Sequence, residues 1–172
     1  MVLGEVIVSD RIVYYESAAA LEGGELAYRP EILRPHMSTQ QNLNTYFATS
    51  SLFARLGERA QVMGFEMPAS SQAGNVAAGI TVSSATIASG ELLIRDPALL
   101  KSFRSLHDKA YVAEMEAYGV FDACEKQRVP ALIVRGISDF GDGTKDDAFH
   151  TIASVAAAII TSDYLIYGWQ RA

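Results

Sequence analysis

Apolar and polar positions change rhythm along this chain. Val6-Ile7-Val8 and Ile12-Val13-Tyr14-Tyr15 are β-rich runs separated by Ser9-Asp10-Arg11, which predicts a strand pair or one long bent strand. Glu22-Gly23-Gly24-Glu25 reads as a turn, and Arg29-Pro30 to Arg34-Pro35 frames an extended connection. From Ser38 to about Gln61 the period becomes helical. Ser38 and Gln41 resemble a capping box ahead of Leu43, Phe47, Leu52, Phe53 and Leu56. Residues 64–79, rich in Gly, Ser and Ala, predict a long surface loop.

A tighter alternation follows. Ile80 to Ala88 reads as a strand ending in Ser89-Gly90. Asp96-Pro97 opens a helix, with an acidic cap and proline at the first position, running to about Lys109. Tyr111 to Met115 predicts a short strand and Glu116 to Gln127 a helix. Ala131 to Ile137 predicts an apolar strand, and Asp146 or Asp147 caps a long apolar helix continuing to about Tyr167. Strand and helix alternating at this spacing predict βαβ units and a parallel sheet, hence an α/β fold. Without an internal repeat or linker, residues 1–172 read as a single domain.

Composition narrows the function classes. With 49% hydrophobic and 20% charged residues, a 172-residue chain can build a core. A chain of that size buries roughly 70% of its unfolded surface, which excludes a disordered chain or a disulfide-stapled mini-protein. Fourteen basic against 20 acidic residues, a net charge of −6, argue against a nucleic-acid-binding surface. The lone Cys124 permits no internal disulfide and suits a reducing compartment. Met1-Val2-Leu3-Gly4-Glu5 has no signal-peptide pattern, and the apolar stretch Ile152 to Ile160, interrupted by Ser154, is too short to cross a bilayer. The expectation is a soluble cytoplasmic protein with no membrane partner.

Ligands of open α/β sheets bind outside the carboxyl ends of the strands. Three predicted ends carry polar residues: Ser89-Gly90-Glu91, Glu114-Met115-Glu116 and Ser138-Asp139. Glu114 and Glu116 are two apart, so on a strand they share a face, and such carboxylates can hold the vicinal hydroxyls of a sugar. The same acids would also be favoured simply by the dipole of the helix beginning near Glu116. Asp139 follows an apolar strand, where a carboxyl can keep its proton and serve as a general acid with Ser138 orienting it. Equally, Ser138 and Asp139 can form a turn into Gly141-Asp142-Gly143. Asp139-Phe140-Gly141 spells a kinase magnesium motif but lacks the rest of that signature. His36, His107, His150 and Cys124 are scattered, so no zinc set forms. Neither a dinucleotide fingerprint nor a phosphate-binding loop is present.

Taken together, four segments resemble the nucleoside phosphorylase superfamily, most closely its methylthioadenosine/S-adenosylhomocysteine nucleosidase branch. They are Leu3 to Asp10, Ile87-Ala88-Ser89-Gly90-Glu91, Glu114-Met115-Glu116-Ala117 and Arg135-Gly136-Ile137-Ser138-Asp139, in the family's order. The resemblance covers nearly the whole chain and is weakest between about residues 36 and 79. It implies a three-layer α/β sandwich around a central mixed sheet and cleavage of the N-glycosidic bond of a purine nucleoside. Within that likeness Glu116 holds the ribose hydroxyls and Met115 packs on the sugar. Asp139 protonates purine N7 with Ser138 in support, and Leu93 and Ile94 wall the base. Glu114 and Ser89 join the substrate-binding set.

Tyr118 and Leu93 depart from the family pattern. The resemblance further implies an N-terminally incomplete domain, because the family's domain begins well before the position matched by Leu3. The part before it carries the first strand, the glycine loops beside the sugar and any phosphate, and the water-activating glutamate. Hydrolysis and phosphorolysis are therefore both open. The expected cofactor list is empty, with phosphate a cosubstrate only for a phosphorylase. A sheet lacking its first strands exposes an edge, so the expected partner is a second copy or the rest of a longer parent chain. The alternative is a non-catalytic module for nucleoside sensing or oligomerisation; a third reading is an unrelated α/β protein with coincidental motifs.

Overall fold

The computed structural model describes residues 2–66, 79–94, 96–141 and 148–169. In chain order its elements are β1 (Val6–Tyr14), β2 (Ala18–Ala20), β3 (Leu26–Tyr28), β4 (Glu31–Leu33), α1 (Met37–Phe47), α2 (Leu52–Val62), β5 (Val82–Ser89), α3 (Pro97–Leu106), β6 (Ala110–Glu114), α4 (Ala117–Lys126), β7 (Val134–Gly136) and α5 (Ala148–Tyr167). The expected caps Asp146 and Asp147, and most of the expected 64–79 loop, lie outside the described residues.

The two apolar runs near the start form one strand, β1, bent at a bulge. Its pairing with β5 passes from Ser9↔Ala85 to Arg11↔Thr86, which leaves Asp10 as the extra residue. One extra residue reverses the faces that later side chains occupy, so Ile7 and Ile12, an odd number apart, share one core cluster. The Thr86 hydroxyl donates to Asp10 Oδ1 at 2.9 Å and fills the interrupted ladder.

The sheet is mixed, as the family resemblance implied, and not parallel as the spacing alone suggested. Its order is β4-β1-β5-β6, with β7 also on β1. Strands β1, β5 and β6 run parallel, whereas β4 and β7 lie antiparallel along the two halves of the other edge of β1. Hydrophobic periodicity reports which face is buried but not the direction of a partner strand. Strand β7 is also shorter than the apolar run Ala131 to Ile137. Beyond it the β1 bulge breaks the ladder, and Ile133 N–H donates to the Ser9 hydroxyl at 3.1 Å instead of to a carbonyl.

Two further corrections concern the first helical segment. The stretch expected as one helix is two, because Thr49, Ser50 and Ser51 are short polar residues that compete with helical bonding. The N-cap of α1 is His36, whose Nδ1 accepts from Ser38 N–H at 3.4 Å, rather than a Ser38–Gln41 box. Asp96 does cap α3, accepting from Ala98 N–H at 2.8 Å. Gly23 and Gly24 close the β2–β3 hairpin at φ of +91° and +84°, a backbone region glycine enters without strain.

Helices cover the sheet in separate cores. Val6, Val8 and Val82 pack with Leu43 and Tyr46 of α1, Leu52 and Leu56 of α2, and Ile159, Ile160 and Tyr164 of α5. Ile7, Ile12, Ile87 and Val112 pack with Ala117 and Phe121 of α4 and Phe149 of α5. Tyr15 and Ala88 pack with Phe103 of α3. Helix α5 meets β7 backbone to backbone: a Cβ on Gly136 would lie 2.2 Å from the Ala153 carbonyl oxygen.

Helix α5 also corrects the reading of its apolar stretch. Residues Phe149–Tyr167 have the length and mean hydropathy, 1.4, of a membrane-crossing segment. Here one side of the helix packs against the sheet and helices α1 and α2, with Asp163 fully buried on that side. Asp163 Oδ2 accepts from Tyr46 Oη at 2.9 Å and Arg55 Nη2 at 2.9 Å, and Oδ1 accepts from Arg59 Nε at 2.8 Å. Burial pushes its carboxyl upward, but the hydrogen bonds and charges of Arg55, Tyr46 and Arg59 outweigh that and hold it below the usual carboxylate range. One carboxylate thereby ties α1, α2 and α5 together.

Replacing Asp163 with Ala should cost about 3–5 kcal/mol, because it removes one partner of a buried ion pair and strands two arginines. The depressed carboxyl makes this stabilisation fully present above about pH 4, the unfolded value, and lost as pH falls through the lower folded value. Melting temperature against pH should show that acid step in the native chain and lack it in Asp163→Asn. Gly136→Ala should lower stability by about 1–3 kcal/mol or more in a denaturant titration, since the obstacle is backbone rather than a movable side chain.

Candidate active site

Adjacent parallel strands place two of the predicted strand ends together, with Ser89 paired opposite Glu114. The third arrives differently. Strand β7 is antiparallel to β1, so its end, Gly136, pairs with Val6 at the start of β1. The segment that follows nevertheless joins the other two along β6, the terminal strand of the described sheet. An open cleft there is lined by Leu92–Ile94, Tyr111–Glu116 and Arg135–Gly141. Its volume of about 140 Å³ is below the roughly 300–1,000 Å³ of an enclosed small-molecule site.

Seven of the eight sequence-predicted residues meet in this cleft: Leu93, Ile94, Glu114, Met115, Glu116, Ser138 and Asp139. Ser89 does not line it. Its buried hydroxyl accepts from Tyr118 N–H at 2.9 Å and so anchors the first turn of α4.

The two glutamates hold different positions. Glu114 is buried, and its Oε2 accepts from the backbone N–H groups of Glu116 and Ala117, both at 2.9 Å. This is the interaction expected of an acid at a helix start. Its Oε1, also buried, has no hydrogen-bond partner among the described residues. The Glu116 side chain is 69% exposed and makes no capping bond to α4.

Arg135 connects the pair. Its Nη1 donates to Glu116 Oε2 at 3.1 Å and to Glu114 Oε2 at 3.4 Å. Partial burial pushes the Glu116 carboxyl up, but the hydrogen bond and charge of Arg135 outweigh this and hold it below the ordinary carboxylate value. Sequence reasoning assigned Arg135 no role, although a cation following Leu132-Ile133-Val134 in an apolar strand was a legible signal.

Asp139 is half-buried, not sealed, at the far wall. Ser138 Oγ donates to its Oδ2 at 3.2 Å, and Gly141 N–H donates to Oδ1 at 2.9 Å. The second bond is the turn foreseen as an alternative, and it coexists with a carboxyl facing the cleft. Gly141 adopts a φ of +68°, which suits glycine at that position.

One wall of the cleft is the loop after β5. Gly90 lies against Tyr15, where a Cβ would sit 2.3 Å from the ring. Leu92 N–H donates to Glu16 Oε1 at 2.9 Å, and these two contacts set the course of the loop into Leu93 and Ile94. Ile94 packs toward the Tyr15–Phe103 cluster, whereas Leu93 is 64% exposed. Among the described residues no three His, Cys, Asp or Glu side chains gather as a metal site. The cleft thus combines a solvent-facing carboxylate, a buried one, a third carboxyl from Asp139, and the apolar side chains of Leu93 and Ile94. That arrangement suits a polar ring bearing hydroxyls joined to a flat apolar group.

The chain is 82% identical, over all 172 residues, to the ATP nucleosidase Cap17 of Escherichia coli strain KTE188, of which it covers 34%. It is 32% identical over 79 residues to the 5'-methylthioadenosine/S-adenosylhomocysteine nucleosidase of Bacillus velezensis, covering 46% of this chain and 34% of that relative. It therefore spans about a third of the length of these curated relatives. The structure of Streptococcus pneumoniae MTA/SAH nucleosidase in complex with 8-aminoadenine matches with a TM-score of 0.60 and 15% identity, covering 97% of this chain and 63% of that one. The futalosine hydrolase of Helicobacter pylori matches with a TM-score of 0.56 and 18% identity, covering 96% and 59% respectively. At such identities these two likenesses speak for the fold. The sequence pattern of the phosphorylase superfamily runs through residues 1–166, and the chain belongs to that superfamily.

Proposed function

We propose that this chain forms the sugar- and base-binding part of a domain that cleaves the N-glycosidic bond of a purine nucleoside or its 5'-nucleotide. The observation carrying this reading is that Asp139 and the Glu114–Glu116 pair, distant in sequence, face one cleft. The high identity to a protein named as an ATP nucleosidase supports adenine nucleotides as the first substrates to test.

In this reading Glu116 accepts hydrogen bonds from the sugar's vicinal hydroxyls, buried Glu114 holds the start of α4 beside it, and Met115 packs beneath the ring. Leu93 and Ile94 lie along the base. Asp139 donates a proton to purine N7, so the base departs neutral, while Ser138 keeps the carboxyl aimed. As the bond lengthens, the sugar gains oxocarbenium character, which the negative charge of Glu116 stabilises. A bound nucleoside expels water from the open cleft, which strengthens each of these contacts. The nucleophile is water or phosphate, and the group that activates it comes from the open side, supplied by a longer parent chain or a second copy.

A direct assay separates the possibilities. The chain is incubated with ATP, adenosine, methylthioadenosine, S-adenosylhomocysteine and inosine, each with and without phosphate, and free base is read by chromatography. Release without phosphate identifies a nucleosidase, and release only with phosphate a phosphorylase. No release from folded protein that still binds an adenine nucleotide identifies a binding module, while neither release nor binding overturns the assignment.

Two substitutions test the roles. Asp139→Asn should lower kcat by about 10²–10⁴-fold, the usual contribution of a general acid, with the dissociation constant changed little. Glu116→Ala should weaken binding by about 1.5–3 kcal/mol, the loss of hydrogen bonds to a charged group, as read by calorimetry.

A further inference from the structure

We propose that Arg135 is a positioning residue, its guanidinium bridging Glu114 and Glu116 so that Glu116 stays charged and aimed into the cleft. This rests on the reading of the cleft as a nucleoside site, and goes beyond it by naming what sets the state of the sugar-binding carboxylate.

The geometry supplies the reason. Glu114 Oε2 accepts from the backbone N–H of Glu116 at 2.9 Å, and the two carboxylates lie close enough that Arg135 Nη1 is 3.4 Å from one and 3.1 Å from the other. Like charges so close oppose each other, and one of them would otherwise take a proton. Glu114 cannot turn away, because its buried Oε2 also caps α4 through Ala117 N–H at 2.9 Å. Arg135 enters from β7, reaching both carboxylates through Nη1. The other charged group lining the cleft is Asp139, whose oxygens are engaged by Ser138 and Gly141. From α4, the Tyr118 hydroxyl is committed to Glu31 at 2.6 Å. Among the described residues that line the cleft, Arg135 is the cation.

Water screens much of this interaction where it has access, since the Arg135 side chain is 40% exposed and that of Glu116 69%. A ligand that displaces the water raises the cost of two unneutralised carboxylates. The bridge therefore matters most in the bound state, and its loss should fall on binding at acid pH more than on turnover at saturation.

The test compares the native chain with Arg135→Gln and Arg135→Lys. In carbon-13 carboxyl titrations of the ligand-free protein, with Glu116 assigned through Glu116→Gln, the Glu116 midpoint should rise in Arg135→Gln and return toward the native value in Arg135→Lys. With adenosine or ATP as the probe, the acid limb of the binding profile should move up by about one pH unit in Arg135→Gln, roughly a tenfold loss of affinity at acidic pH. Adding Glu114→Gln to Arg135→Gln removes the opposing charge while keeping an acceptor for α4, and should bring the midpoint back down. An unmoved Glu116 midpoint in folded Arg135→Gln overturns the proposal even where nucleoside binding stands. A uniform fall in kcat with an unmoved pH profile overturns it as well. A shifted midpoint in a chain that binds no nucleoside upholds the Arg135 bridge and instead removes the functional reading of the cleft.

Discussion

The constraint on which this molecule depends is the bulge in β1. That strand contacts three others and contributes to both faces of the sheet. A regular strand of its length would send Ile7 and Ile12 to opposite sides. The extra residue at Asp10 brings them to one core and leaves Val6 and Val8 on the other. It also divides the free edge of β1 into two halves, each short enough to take its own antiparallel partner. One of those partners, β7, delivers Arg135 and the Ser138–Asp139 segment to the cleft. A local irregularity of backbone pairing thus sets where the chemistry sits.

The site then draws on two kinds of rigidity. Glu114 is immobilised because its carboxylate completes the hydrogen bonding of a helix start, which leaves Glu116 as the exposed acceptor of the pair. Gly136 lets α5 approach β7 at backbone contact and so fixes the strand that carries Arg135. Behind that strand, the Asp163 carboxylate clamps α5 to the two N-terminal helices through Tyr46, Arg55 and Arg59. The buried Asp163 ion pairs hold the scaffold, and the more exposed Arg135–Glu116 pair lines the cleft.

Several elements were legible in the order of residues. The Asp96-Pro97 helix start, the Gly23-Gly24 turn and the β5 and β6 strands follow from local rules of capping, φ preference and alternation. Seven residues that line the cleft were also legible, though through motif order as much as through chemistry. Other features were hidden for physical reasons. A bulge has no composition signal in Ser9-Asp10-Arg11, which reads equally well as a turn. The Thr49–Ser51 break lies within a continuous helical period. Asp163 appears as one acid in an apolar helix, and its partners stand on α2 and α1, more than a hundred residues earlier.

The sequence by itself determined the fold class, the family and seven of the residues that line the cleft. These follow from local periodicity and short ordered motifs, which need no knowledge of distant contacts. Only the tertiary structure decided that β4 and β7 are the strands that run antiparallel to β1, that Ser89 supports a helix instead of lining the cleft, and that Arg135 spans two carboxylates. Each of those depends on which strand lies beside which and in what direction, and that choice is made by side-chain packing between segments far apart in the chain.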